Sequence, residues 1–330
     1  MNKIPTVSEI LDNLPEFTHI NIDMESLMQE RDGPIVAVQK PRLYQVETTA
    51  QCGLRCGFCP RTQVVNGVHK VNRKMSAHMS LEKFESLLDK MPWVKSLEPF
   101  HFGEPFLTPD FHLFIRACKR RGIYTVVASN LVNAPIDAYH KAFAEGLDFL
   151  VMDIDSIEKE AYEAIRIKGK WERLREVTIS ILSADVRPYC VVQSIGFDGE
   201  APYTEREFLN FSEGNRPDEY RLKFLDSFRG TTAPPKPLKG ICREPFYGFT
   251  VQVNGDVVVC DRDFAGENVM GNIFEQSVEE IWNGPKYQAF RAAMLSDDKP
   301  SMCKNCSEGE LFNARSQEHI QVNMFKGARV

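Results

Sequence analysis

From Arg42 onward, short runs rich in β-branched and aromatic residues alternate with stretches whose apolar positions fall three and four apart. The runs RLYQVETTA (42–50), SLEPFHF (96–102), IYTVVASN (123–130), LDFLVMDIDS (147–156) and PYCVVQSI (188–195) read as strands. Between them the periodicity predicts helices over 80–91, 112–122 and 136–146, and one long helix over 159–185. Ser80 is the expected N-cap of the first, with Leu81, Phe84, Leu87 and Leu88 on one face, and Gly122 stops the second. Alternation of this kind implies a parallel sheet with right-handed crossovers. The expected fold class is therefore α/β, a full or partial (β/α) barrel of the TIM type, with chemistry at the C-terminal ends of its strands.

The alternation stops at RGTTAPPKPLKG, whose Pro and Gly content marks a linker at 229–240. Beyond it, FTVQVNGDVVVCDRD reads as a β-hairpin turned at Asn254-Gly255, followed by a helix over 277–295 and a C-x-x-C pair. The expected organisation is an N-terminal extension (1–41), a barrel (42–228), the linker, a small cysteine-bearing module (241–312) and a tail (313–330). The extension alternates short apolar groups with acids, turns at Gly33-Pro34 and is expected to lie over the main domain.

Composition narrows the class only modestly. A hydrophobic content of 43% and a charged content of 26% are ordinary for a globular chain, and no apolar run reaches a membrane-spanning length. The N-terminus lacks the basic-then-apolar order of a signal peptide, so a cytoplasmic protein without a membrane partner is expected. A net charge of −6 without a basic cluster argues against general nucleic-acid binding. Nine cysteines, an odd number in a chain with no export signal, favour metal ligation over disulfides.

Seven of those nine fall into two sets. Cys52, Cys56 and Cys59, in QCGLRCGFC, have spacers short enough for three thiolates to converge on one corner of a cubic iron-sulfur cluster, leaving a fourth iron open. A structural zinc is the alternative, with His69 or His78 as a further ligand. Cys242, Cys260, Cys303 and Cys306 suffice to close a second cluster with protein ligands alone, or to hold a zinc ion.

The C-x-x-x-C-x-x-C loop, with aromatic Phe58 before its third cysteine, resembles that of radical S-adenosylmethionine (radical SAM) enzymes. The resemblance implies that S-adenosylmethionine chelates the open iron and that an electron from the cluster splits it. The resulting 5′-deoxyadenosyl radical abstracts a hydrogen atom from substrate. Gly103-Glu104-Pro105 resembles the family's segment for the cofactor's amino group, although His101 stands where the family often has an earlier glycine. By the same resemblance Ser129 and Asn130 lie near the ribose, Asp153 faces the cofactor, and Arg166 can reach its carboxylate. Asp153 and Asp155 share one strand face, and the plainer reading is that they pair with Arg166 or Lys168. VNGDVVVC, GNIFEQSVEEIWN and CKNC resemble the SPASM or twitch extension of these enzymes, with cysteines for one auxiliary cluster.

Two 4Fe-4S clusters and S-adenosylmethionine are thus the implied cofactors, and a flavodoxin- or ferredoxin-type protein the implied electron donor. The expected activity is oxidation of a small hydroxylated metabolite such as a sugar, aminocyclitol or nucleoside-linked intermediate, with the auxiliary cluster accepting an electron. Peptide maturation, epimerisation and a non-catalytic zinc or cluster scaffold are the competing readings. Cys118 has the helical spacing of a core thiol. Strand parity groups Cys190 with Val192 and Ser194, opposite Tyr189 and Gln193, which turns it away from the cavity where it could return a hydrogen atom. His101 reads as a barrel-lining residue or an acid-base group.

Overall fold

The computed structural model describes residues 40–41, 43–67, 70–197, 200–224, 241–242, 244–304, 306 and 320–322, all within one compact unit, Ala37–Val330. Residues 1–39 of the N-terminal extension, His69, the 229–240 linker and most of the tail lie outside the described residues.

Five strands pair in parallel and in chain order: β2 (Ser96–Leu97), β3 (Tyr124–Ser129), β4 (Phe149–Asp153), β5 (Tyr189–Gly196) and β6 (Glu219–Phe224). β1 (Leu43–Val46) joins them through a parallel bridge between Gln45 and Glu98. Helices at Leu81–Asp89, Phe111–Arg120, Ile136–Ala144, Trp171–Leu182 and Glu205–Phe211 supply the crossovers. This is the partial barrel that the alternation implies. Ser80 caps its helix by accepting from Lys83 N, and Phe84, Leu87 and Leu88 are buried as the periodicity requires.

The free edge of β1 carries the C-terminal module. β7 (Gly248–Val251) runs parallel to β1, and β8 (Asp256–Val258) and β9 (Val269–Asn272) continue antiparallel, giving the order β1-β7-β8-β9. The hairpin turns where the Asn254-Gly255 signal lies: Gly255 N donates to Gln252 O and Gly255 takes φ +90°. Gly255 therefore supplies the left-handed residue of a three-residue hairpin loop. On the opposite edge, β10 (Ile320–Val322) pairs antiparallel with β6.

The long helix expected over 159–185 is two helices, Lys159–Ile165 and Trp171–Leu182. The break runs through Lys168 at φ +71° and Gly169, whose missing Cβ would lie 2.7 Å from Arg166 O. The 277–295 helix likewise splits, at Gly284-Pro285, into Val278–Trp282 and Pro285–Leu295. The helix Glu205–Phe211, with a capping box from Thr204 and Glu207, and strand β6 complete the barrel in a region without a strong periodic signal.

Candidate functional site

The cysteine loop leaves β1 through a clamped segment. Ala50 N donates to Ala77 O, Met79 N to Thr48 O, and the buried Arg61 Nε to Ala50 O. Cys59 caps the helix Pro60–Val65, with Pro60 at the first helical position, and Cys59 N donates to Cys56 O. Cys52 lies between two amides: Asn130 Nδ2 stands 3.6 Å from its sulfur and Asn133 Oδ1 3.8 Å from it. Asn133 Oδ1 also accepts from Gly53 N at 3.0 Å and from Asn130 Nδ2 at 3.2 Å. Asn133 is a site residue that the sequence reasoning missed; its only signal was the LVN turn directly after Ser129-Asn130.

Burial pushes the Cys52 thiol up to about 11, helped by the Glu104 carboxylate, and the Cys56 thiol up to about 12, against the pull of Arg166. Cys59 is raised for the same reason. As ligands these thiols would release their protons to solvent, which would couple cluster loading to proton release.

Gly103, Glu104 and Pro105 stand against this loop. A Cβ on Gly103 would lie 1.8 Å from Thr49 O, and Glu104 N donates to Gln51 O, so the close approach that demands glycine is to the chain entering the cysteine loop. Glu104 is buried and accepts from Ser129 Oγ at 2.8 Å and Asn130 N at 2.9 Å, while Pro105 opens a short 3₁₀ turn. Burial pushes the Glu104 carboxyl up to about 7, against the pull of these donors. Ser129 Oγ also contacts Tyr139 OH, so its hydroxyl is engaged within the protein.

The helix break at 166–170 delivers Arg166 to the barrel. Arg166 Nε donates to Asp155 Oδ2 at 2.6 Å, Asp153 Oδ2 lies 3.8 Å from the guanidinium, and Gln193 Nε2 donates to Asp153 Oδ1. The guanidinium stacks 5.1 Å from the Phe58 ring, which packs edge-on against Phe197. Burial works against the Arg166 charge, but Asp155, Asp153 and Cys56 outweigh it and hold its pKa well above the usual value. The pairing expected of the two acids is thus made by Arg166, whereas Lys168 is exposed.

In the module Cys242, Cys260, Cys303 and Cys306 line one recess, walled by Phe290, Met294 and Met302. Cys306 N donates to Cys303 O, and burial raises the Cys242 and Cys260 thiols well above their usual range. Among the described residues no three His, Cys, Asp or Glu side chains converge tightly enough to grip one metal ion. A set of three thiolates and a set of four are donor sets that cubic iron-sulfur clusters take. His78 is exposed.

The other residues singled out by sequence are held by packing or by backbone contacts. Cys118 is fully buried in its helix. Cys190 is also fully buried, its sulfur on Pro188 O, while Gln193 reaches Asp153 on the other face. His101 Nε2 donates to Asp261 O at 2.7 Å, and burial lowers its pKa.

A model of the radical SAM superfamily matches residues 46–211, half of the chain. This protein belongs to the radical SAM superfamily. A model of the SPASM iron-sulfur cluster-binding domain matches residues 242–307 of this radical SAM enzyme. Its cofactors are accordingly S-adenosylmethionine and a 4Fe-4S cluster, with auxiliary cluster binding in the SPASM region. The enzyme is 25% identical over 289 residues to an S-adenosyl-L-methionine-dependent 2-deoxy-scyllo-inosamine dehydrogenase of Niallia circulans, covering 84% of this chain and 97% of that one. Its fold is similar to that of BtrN in complex with AdoMet and 2-DOIA, at 18% identity and a TM-score of 0.55 over 82% of this chain and 94% of that one. It is also similar to Streptococcus suis SuiB bound to precursor peptide SuiA, at 15% identity and a TM-score of 0.60 over 82% and 70%. Among the described residues no helix is long and apolar enough to cross a membrane.

Proposed function

We propose that this radical SAM enzyme oxidises a small hydroxylated metabolite, of the sugar, aminocyclitol or nucleoside-linked class, by two electrons. Bound S-adenosylmethionine and two 4Fe-4S clusters supply a 5′-deoxyadenosyl radical that takes a substrate hydrogen and an acceptor for the electron left behind. Cys52, Cys56 and Cys59 hold the open cluster, and Cys242, Cys260, Cys303 and Cys306 the closed one. Asn130 Nδ2 donates to the Cys52 sulfur, and Asn133 Oδ1 holds that amide in place. Glu104 positions Asn130 by accepting its backbone N–H. Arg166, fixed by Asp155 and stacked on Phe58, faces the cofactor's carboxylate with its remaining donors.

The observation that carries this reading is the pairing of an amide-flanked three-cysteine loop at the barrel mouth with a four-cysteine recess in a module that shares β1. The dehydrogenase relative, matched over nearly its whole length, supports the substrate class. The reading divides the chain into a barrel at 42–228 and an auxiliary module at 241–312, and includes a flavodoxin- or ferredoxin-type donor. The burial of Cys190 on the face opposite Gln193 favours oxidation over return of a hydrogen atom. Substrate deuterated at the reacting carbon should pass its label into 5′-deoxyadenosine and yield a product two electrons poorer. A redox-neutral product carrying solvent deuterium, or turnover of a peptide alone, would overturn the proposal.

A further inference from the structure

The barrel holds a second set of polar groups that cofactor binding does not use. Strand alternation turns Gln45 of β1 away from Tyr44, whose ring meets Phe249. Glu98, which follows β2, is its bridge partner, and Gln45 Nε2 donates to Glu98 Oε2 at 3.1 Å. Gln45 is only 9% exposed, and its Oε1 has no hydrogen-bond partner among the described residues. A buried amide oxygen left without a donor is costly, and its retention calls for a donor from elsewhere.

Glu98 sharpens the demand. Among the described residues Gln45 is the one side chain that hydrogen-bonds its carboxylate, and no Lys or Arg forms an ion pair with it. Burial first, then the nearby Asp261 carboxylate, pushes the Glu98 carboxyl up to about 7, and Lys223 offsets this only in part. An orphaned acceptor beside a half-buried carboxylate with no ion pair among the described residues suits a group that has several donors, no acceptor and a positive charge, which describes a primary ammonium. The far wall is different. Lys223 on β6 also acts on Asp153, to which Gln193 donates at 3.2 Å, so that side offers donors and acceptors together, as hydroxyls require.

We infer that Gln45 and Glu98 form an amine anchor in the substrate site, seating the ammonium of a polyhydroxylated ring whose hydroxyls reach towards Lys223 and Gln193. The inference rests on the proposed oxidation for what happens at the ring, but the anchor itself is read by binding alone. The substrate is thereby an amino-bearing cyclic polyol and not a neutral one.

The test uses the anaerobically reconstituted enzyme saturated with S-adenosylmethionine and two probes, 2-deoxy-scyllo-inosamine and the amine-free ring scyllo-inositol. Calorimetric titration should show the wild type preferring the amine by about tenfold or more. Glu98→Gln, which keeps shape and removes charge, should weaken amine binding about 10- to 100-fold and collapse the preference, because a charge-assisted hydrogen bond is lost. Gln45→Met should weaken it about 3- to 10-fold, and it decides the matter with Glu98→Asp if Glu98→Gln does not accumulate. Equal binding of the two rings by wild type, binding of neither, or a preference that survives in the variants would overturn the anchor. Selective binding of the amine without oxidised product would uphold the anchor and sink the oxidation. Oxidation of a ring without amine preference would do the reverse.

Discussion

Arg166→Met tests whether the acids of β4 and the cofactor share one arginine. In the wild type Arg166 Nε lies 2.6 Å from Asp155 Oδ2, with the side chains 8% and 1% exposed. Removal of the guanidinium leaves the Asp155 carboxylate with one remaining described donor, Ile195 N at 3.0 Å. Breaking a buried ion pair from one side costs about 3–5 kcal/mol, and loss of the stack on Phe58 adds about 0.5–1 kcal/mol. At about 1.4 °C per kcal/mol for a chain of 330 residues, the melting temperature should fall by roughly 5–9 °C. Thermal unfolding followed by circular dichroism, on anaerobic protein matched for iron content, measures it. Asp155→Asn in the Arg166→Met background should recover about 2–3 kcal/mol, because the stranded charge is gone. A drop below about 3 °C, or a double variant whose losses simply add, would refute the reasoning. Arg166→Lys separates the second role: it keeps the charge but not the fork, so S-adenosylmethionine affinity should fall even where stability largely survives.

Three further outcomes follow from the same geometry. Changing Cys52, Cys56 and Cys59 together to Ala should lower iron from about eight to about four per chain and abolish cleavage of S-adenosylmethionine; cleavage by that variant would remove the loop from the mechanism. Gly103→Ala should prevent stable folding, with a loss of about 4 kcal/mol or more, since its Cβ would stand 1.8 Å from Thr49 O; normal expression and melting would show that the loop entry can shift. The Glu104 carboxyl titrates near 7 in the fold instead of 4.5, chiefly through burial, so its contribution is fully present below pH 4.5 and is lost as pH rises through about 7. Glu104→Gln has no such proton, so its stability should change by about 2–3 kcal/mol less than the wild type's between pH 5 and pH 8 in urea titrations; parallel pH curves would refute the assignment.

The legible parts of the chain were those where periodicity and local chemistry agree. Ser80, Gly122 and the Asn254-Gly255 turn each act as punctuation at the expected place. The long helix was misread because residues 159–185 keep an apolar period throughout, and the break depends on Lys168 adopting positive φ in a non-glycine residue. That break is also what brings Arg166 to Asp155, so a functional side chain sits where local propensity is overridden. Asn133 was invisible for another reason. Its contact with Gly53 joins loops 80 residues apart, a relation that no pattern within either segment encodes. The Gly-Glu-Pro resemblance carries no hint that Gly103 is needed for its close approach to Thr49 O.

β1 explains why two distant cysteine sets belong to one machine. It is four residues long, yet it bridges to Glu98 on one side and pairs along its whole length with β7 on the other. Cys52 lies six residues past its end, on a segment clamped by Ala77 and Met79. Cys260 leaves β8 two residues after Val258, which is in register with Thr250 and, through it, with Gln45. The buried Glu47 just beyond β1 fastens both parts: it takes two hydrogen bonds from Arg73, at 2.7 and 3.0 Å, and one from Val253 N. Arg73 in turn donates to Phe264 O, four residues beyond Cys260. Backbone pairing and a buried charge network thus set the spacing between the two thiol sets. A hinged module could not hold such a spacing, and electron transfer over a fixed gap requires one that is held.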